Sequence, residues 1–147
     1  MKLAKMATIG LILISSSALA NNVINHKSPH CGCCGGWSEH MQENGFAVEE
    51  KLHDNMLNIK QSLGITPELA SCHTAEIDGY VFEGHIPAQD IEAFLANPPK
   101  GAKGLAVPGM PLGSPGMEYG DTKHEYVVYV FNDAGQVAEF NRYGGNQ

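Results

Sequence analysis

The chain has 147 residues, 43% of them hydrophobic and 17% charged, and 16 acidic against nine basic side chains give a net charge of −7 with the histidines neutral. Such acidity excludes a nucleic-acid binder of the usual kind, whose affinity rests on Lys and Arg neutralising phosphates. It suits a cationic ligand or an uncharged partner.

Residues 1–20 have the layout of a cleavable secretory leader. Lys2 and Lys5 form a basic start, Met6 to Ile14 an apolar core, and Ser15-Ser16-Ser17-Ala18-Leu19-Ala20 a small-residue cleavage region. The apolar run is shorter than the ~20 residues that span a bilayer. Cleavage after Ala20 is therefore expected, with no membrane anchoring afterwards. The next residue is Asn21, not Cys, so nothing suggests a lipid anchor. Removal of Lys2 and Lys5 leaves seven basic and 16 acidic residues, a net charge of −9. The remaining segment, 21–147, has the length of one domain with its own core and is expected in the periplasm.

The mature chain opens with a short strand over 23–27, closed by Pro29, which keeps the residue before it out of a helix. Ser28-Pro29-His30-Cys31-Gly32-Cys33-Cys34-Gly35-Gly36-Trp37 follows and crowds three of the four cysteines into four positions. Trp37 and Met41 lie one helical turn apart, and Asn44-Gly45 supplies a stop. The cysteines thus fall just before, or on the first turn of, a helix. Phe46, Val48 and Leu52 alternate with polar residues as in a half-buried strand, except that Glu50 falls on the apolar side. Met56, Ile59 and Leu63 recur at helical spacing before Gly64.

Segments 74–77 and 80–83 flank Asp78-Gly79, a strong hairpin signal. Pro87 precedes a third helical pattern, Ile91, Phe94 and Leu95, ending at Asn97-Pro98-Pro99. Over 23–97 the order is βαβαββα, an α/β arrangement that predicts a thioredoxin-like core with the cysteines where the first strand meets the first helix. A Cys-x-x-Cys near a βαβ pattern points the same way. From 98 to 122 the chain is rich in Gly and Pro, yet Leu105, Val107, Met110, Leu112 and Met117 give it the apolar content of a long loop packed on the domain. Segments 126–131 and 137–143, joined by Asn132-Asp133-Ala134-Gly135, form an additional C-terminal β-hairpin.

The helix start next to the thiols favours thiolate, which is both the nucleophile of disulfide exchange and a ligand for soft metals. A thiol–disulfide oxidoreductase needs Cys31 and Cys34 and leaves Cys33 a spectator. A metal site uses Cys33. Adjacent Cys33-Cys34 fits tetrahedral zinc poorly, whereas thiolates bridging more than one soft ion, with Cu(I) foremost, have no such difficulty. Cys72 and His73, just before the hairpin's first strand, would come close to the cysteine loop. A structural disulfide tying Cys72 to a loop cysteine is the blander alternative. His30 neighbours the motif, and Met110 and Met117 are thioethers suited to Cu(I) or to packing. His26, His40, His53, His85 and His124 are scattered and read as surface or structural residues.

Lys27-Ser28-Pro29-x-Cys31-Gly32-Cys33-Cys34, Trp37, Gly45-Phe46, Ser71-Cys72-His73-Thr74-Ala75, Asp78-Gly79-Tyr80, Glu83-Gly84-His85-x-Pro87 and Gly104-Leu105-Ala106-Val107-Pro108-Gly109-Met110-Pro111 together closely resemble the CopG family of periplasmic copper-resistance proteins. The likeness extends over nearly the whole mature chain. It implies a thioredoxin-like protein that binds copper through Cys31, Cys33, Cys34 and Cys72 and couples binding to a change in copper oxidation state. It also implies dealings with other periplasmic copper-handling proteins.

Overall fold

A computed structural model describes residues 21–144; the leader expected over 1–20 lies outside the described residues. The elements are β1 (Asn22–Lys27), α1 (Gly32–Glu43), β2 (Ala47–Leu52), α2 (Met56–Ser62), β3 (Thr74–Ile77), β4 (Tyr80–Glu83), α3 (Ala88–Ala96), β5 (Gly104–Ala106), β6 (Tyr126–Phe131) and β7 (Val137–Tyr143). Among the described residues they make a mixed α/β fold with three helices and a seven-stranded sheet in the order β2-β1-β3-β4-β5-β6-β7. β1 pairs with β2 and β4 with β5 in parallel, and the other neighbours are antiparallel.

Strands β3, β4, β6 and β7 fall where the sequence predicts them. Asp78 at φ 51° and Gly79 at φ 83° make the two-residue turn between β3 and β4 that their residue types favour. Helix α1 starts at Gly32, so Cys33 and Cys34 fall on its first turn, and it runs through Gly35-Gly36. Its early turns are secured by packing rather than by propensity: a side chain at Gly36 would stand 3.1 Å from the Gly116 Cα. Strand β5 is a departure from the expectation. It lies inside the Gly/Pro-rich stretch, and its pattern is masked because Gly104 must be bare. A Cβ there would lie 1.6 Å from the Val81 carbonyl oxygen across the ladder.

The core is two-sided. On one face of the sheet Trp37 and Met41 of α1 and Ile91 and Phe94 of α3 pack with Val23, Ala75, Ile77, Phe82, Leu105 and Val128. On the other, Ile65 and Leu69 cover Val81, Ala106 and Phe131. The Phe94 ring meets Tyr80 and Phe82 edge-on at centroid distances of 5.0 and 5.5 Å. The C-terminal hairpin is tied to α3 through Asp90, which accepts from Asn141 Nδ2 at 2.8 Å and from the Tyr143 hydroxyl at 2.7 Å. Strand β2 is an edge strand, and its Leu52 is exposed, so it is less buried than its alternation suggests. Glu50, anomalous on an apolar face, reaches Lys27 Nζ at 3.1 Å and accepts from Ser38 Oγ at 2.8 Å.

Helix α3 begins at Pro87 without a side-chain cap of its own. His40 of α1 supplies the acceptor from outside, its Nε2 taking the Ala88 N–H at 3.0 Å. Burial lowers the His40 pKa from its ordinary value, against the opposing pull of Glu118 and Glu43. A histidine with a depressed native pKa stabilises the fold fully above its unfolded value, about 6.5, and loses that contribution as pH falls through the native one. Thermal stability is therefore expected to fall below about pH 6.5. His40→Gln, which keeps an acceptor that does not titrate, should flatten part of that fall. Superimposable melting-temperature profiles for the two proteins would contradict this account.

Candidate metal centre

Cys31 is the N-cap residue of α1, and its side chain makes no capping hydrogen bond. The first turn contains no acidic residue, so the unpaired N–H groups of the helix start present partial positive charge to the sulfurs without competition. Beneath this turn, Asn25 of β1 donates from Nδ2 to Ser38 Oγ at 2.9 Å and to the Cys34 carbonyl at 3.4 Å. Strand, helix and the Glu50–Lys27 pair are thus joined behind the cysteines.

The four predicted residues converge. Cys31, Cys33, Cys34 and Cys72 bring their sulfurs within 4.8 Å of one another. Cys31 and Cys34 are joined as a disulfide, with Cα atoms 5.4 Å apart, while Cys33 and Cys72 are free. Cys33 Sγ lies 3.5 Å from Cys31 Sγ and 3.7 Å from Cys72 Sγ, so it sits between the disulfide and the remote thiol. The bridge is the local Cys-x-x-Cys one; Cys72 is not tied to a loop cysteine.

Two histidines complete the cluster. His73 is fully buried, with Nδ1 3.6 Å from Cys72 Sγ and its ring tilted against Trp37 at a centroid distance of 4.6 Å. Among the described residues its Nε2 has no hydrogen-bond partner. His85, read from the sequence as a surface or structural residue, is corrected here: it is wholly buried, and its Nε2 stands 2.9 Å from Cys72 Sγ. Cys72, His73 and His85 form a second, overlapping ligand group. The signal for His85 was present in the hairpin. The register pairs Thr74 with Glu83, and continuing it two residues brings Cys72 opposite His85. The backbone follows this course, with Gly84 N–H donating to the His73 carbonyl at 3.0 Å. Gly84, at φ +80°, cannot be replaced there, since a Cβ would meet Ser71 and the Val107 carbonyl at 2.6 Å.

The electrostatics favour neutral imidazoles. Burial, reinforced by His85, Lys60 and Lys27, holds the His73 pKa well below the ordinary value. Burial also lowers that of His85, against the Pro115 carbonyl and Glu118. His85 Nδ1 lies 2.8 Å from the Pro115 carbonyl oxygen, which can only accept. Nδ1 therefore carries the proton, and Nε2 turns a lone pair towards Cys72. The Cys72 thiol is pushed up to about 12, first by burial and then by neighbouring Cys33. A bound cation would supply the charge that releases this proton. Glu83, completely buried, fixes the segment from below. Its carboxylate accepts from Lys60 Nζ at 2.5 Å, from Ser71 N–H at 2.6 Å and from Thr74 Oγ1 at 2.6 Å.

The remaining candidates stand apart. His30 is exposed. Met110 is 54% exposed and lines a groove of about 430 Å³ with Tyr126 and Tyr129. Met117 is half-buried and serves the loop through its backbone, its carbonyl accepting from Gly113 N–H at 2.9 Å. The Gly/Pro-rich loop packs across the domain as expected, closing on α1 at Gly116. A side chain there, at φ +82°, would meet the Cys33 carbonyl oxygen and the Trp37 nitrogen at 2.6 Å.

A family model described as a protein of unknown function, DUF411, matches residues 69–117. A comparison with curated proteins gives no match. Two solved structures, named "Copper resistance protein copG- Form 2" and "Copper resistance protein copG- Form 1", are each 39% identical to this chain with a TM-score of 0.81. The matches cover 85% and 86% of this chain and 99% and 100% of theirs.

Gly116→Ala should lift the loop from α1, at a cost of roughly 1–3 kcal/mol for the forced φ and the clash. It should also withdraw the Pro115 carbonyl from His85. The expected signature is a lower melting temperature together with loss of the fixed Nδ1–H tautomer of His85 in nitrogen NMR; an unchanged tautomer would count against the coupling.

Proposed function

The chain belongs to the family of the copper-resistance protein CopG, and from that premise we propose that it is a periplasmic copper-binding protein whose four cysteines, once reduced, hold Cu(I). The observation that carries this reading is the convergence of all four sulfurs within 4.8 Å. Soft thiolates select Cu(I), and sulfurs this close can bridge, so the site is suited to more than one ion. His85 joins them as a nitrogen ligand through Nε2, with Pro115 as the outer partner that fixes its orientation. The core is read as thioredoxin-like, with 1–20 a cleaved leader and 21–147 a single metal-binding domain.

Copper oxidation state and thiol oxidation state are linked in this reading. Two Cu(II) ions taking one electron each from Cys31 and Cys34 thiolates give two Cu(I) and the Cys31–Cys34 disulfide; the reverse oxidises Cu(I) at the expense of the disulfide. The second reading, a thiol–disulfide oxidoreductase working through Cys31 and Cys34, is favoured by the same disulfide. The two differ at Cys33.

Copper stoichiometry on anaerobically reduced protein, with affinity measured against a Cu(I) chelator, separates them. Copper should be retained, Cys33→Ser should lose at least one ion, and His85→Gln should weaken binding roughly 10–100-fold. Protein that retains no copper, or whose copper is indifferent to Cys33→Ser while it reduces disulfides unimpaired, belongs to the second reading.

A further inference from the structure

Outside the thiol site two more histidines are joined. His26, near the end of β1, is 8% exposed and engaged at both ring nitrogens. Its Nε2 is 2.9 Å from Glu76 Oε1, and its Nδ1 is 2.8 Å from His53 Nε2. The sheet creates this contact. His26 lies opposite Thr74 and Ile24 opposite Glu76, which makes Glu76 a diagonal neighbour of His26 on the same face. His53 follows β2 directly and is held beside β1 by its own N–H, which donates to the Lys27 carbonyl at 2.9 Å.

The protons can be assigned. An ionised carboxylate only accepts, so His26 Nε2 carries a proton for Glu76, and Nδ1 of the neutral ring offers a lone pair. One proton, from His53 Nε2, then occupies the contact between the rings. A carboxylate holding one nitrogen of an imidazole whose other nitrogen faces a second imidazole is the arrangement that supports a metal-ligating histidine. We propose that His26 Nδ1 and His53 Nε2 form a second metal site, one that takes Cu(II) where the shared proton sits, that proton passing through solvent to His53 Nδ1 as the ring changes tautomer, with Glu76 as the outer partner of His26.

Two nitrogens about 2.0 Å from one metal at right angles stand about 2.8 Å apart, so two ring nitrogens already held 2.8 Å apart by their hydrogen bond need to turn but not to separate. Binding requires the lone pairs to turn from the line between the nitrogens to a common point. The His53 ring is half-buried and lies just beyond the end of β2. Solvent or an incoming ligand fills the other positions, which makes the site labile. Imidazole suits the oxidised ion as thiolate suits the reduced one.

His26 shares its face with Thr74, on the side of α2 and Lys60, while Asn25 turns to Cys34 and α1. The chain thus carries a nitrogen site and a sulfur site at the same end of one strand, matched to the two oxidation states of one metal.

The test uses the full mature chain with Cys33→Ser and Cys72→Ser and the disulfide kept, so that no thiol reduces or binds the probe. Cu(II) is titrated and followed by electron paramagnetic resonance. One equivalent should bind with an axial spectrum and hyperfine structure from two nitrogens. His53→Ala should weaken it at least tenfold, and Glu76→Gln roughly 10–100-fold. Both positions are partly exposed, so the result does not depend on the stability of a His26 variant. No bound equivalent, or one that His53→Ala leaves intact, overturns the proposal. Either outcome is independent of copper binding by the reduced thiols, which is measured on a different protein and ion.

Discussion

The antiparallel pairing of β3 with β4 determines where the groups of the candidate metal centre stand. Its register, set by the tight turn at Asp78-Gly79, runs from Ile77 opposite Tyr80 to Thr74 opposite Glu83, and the chain holds that course beyond the strands. Cys72 and His85 are consequently partners at the end of one ladder, although thirteen positions separate them in sequence. Because β3 also pairs with β1, the same ladder end faces the loop in which Cys31, Cys33 and Cys34 begin α1. A slip of one residue would turn every one of these side chains to the opposite face.

The buried Glu83–Lys60 pair appears costly unless its role in this register is considered. An ion pair taken out of water contributes little net stability. It does, however, satisfy the Ser71 N–H and the Thr74 hydroxyl at once. Those bonds fix the two residues on either side of Cys72-His73, so the pair secures geometry rather than adding to the hydrophobic core. The Gly/Pro-rich loop acts from the other side. By presenting the Pro115 carbonyl to His85 Nδ1 and seating Gly116 on α1, it chooses the imidazole tautomer and covers the site together.

The thiols are seen in a half-oxidised arrangement, with one disulfide and two free sulfurs in contact. Cys33 is the hinge between the two functional readings. It touches both the bridged pair and Cys72, a position without use in simple dithiol exchange and of direct use in a cluster of bridging thiolates.

Much of this was legible in the sequence. Periodicity and turn residues located β3, β4, β6 and β7, and the crowded cysteines at the start of a helix marked the candidate site. Legibility failed where local pattern and tertiary need diverge. Gly104 hides β5 because a strand must there pass within contact of a neighbouring backbone, and Gly35-Gly36 hides the start of α1 because packing against Gly116 replaces propensity. The sequence by itself determined most of the element types and the crowding of three cysteines at the start of a helix, since these depend on residues near one another in the chain. What the tertiary structure decided was which groups stand beside Cys72, namely His73 and His85, and that His26 meets His53 elsewhere. Their separations are set by strand register and sheet order, quantities that depend on contacts between distant segments.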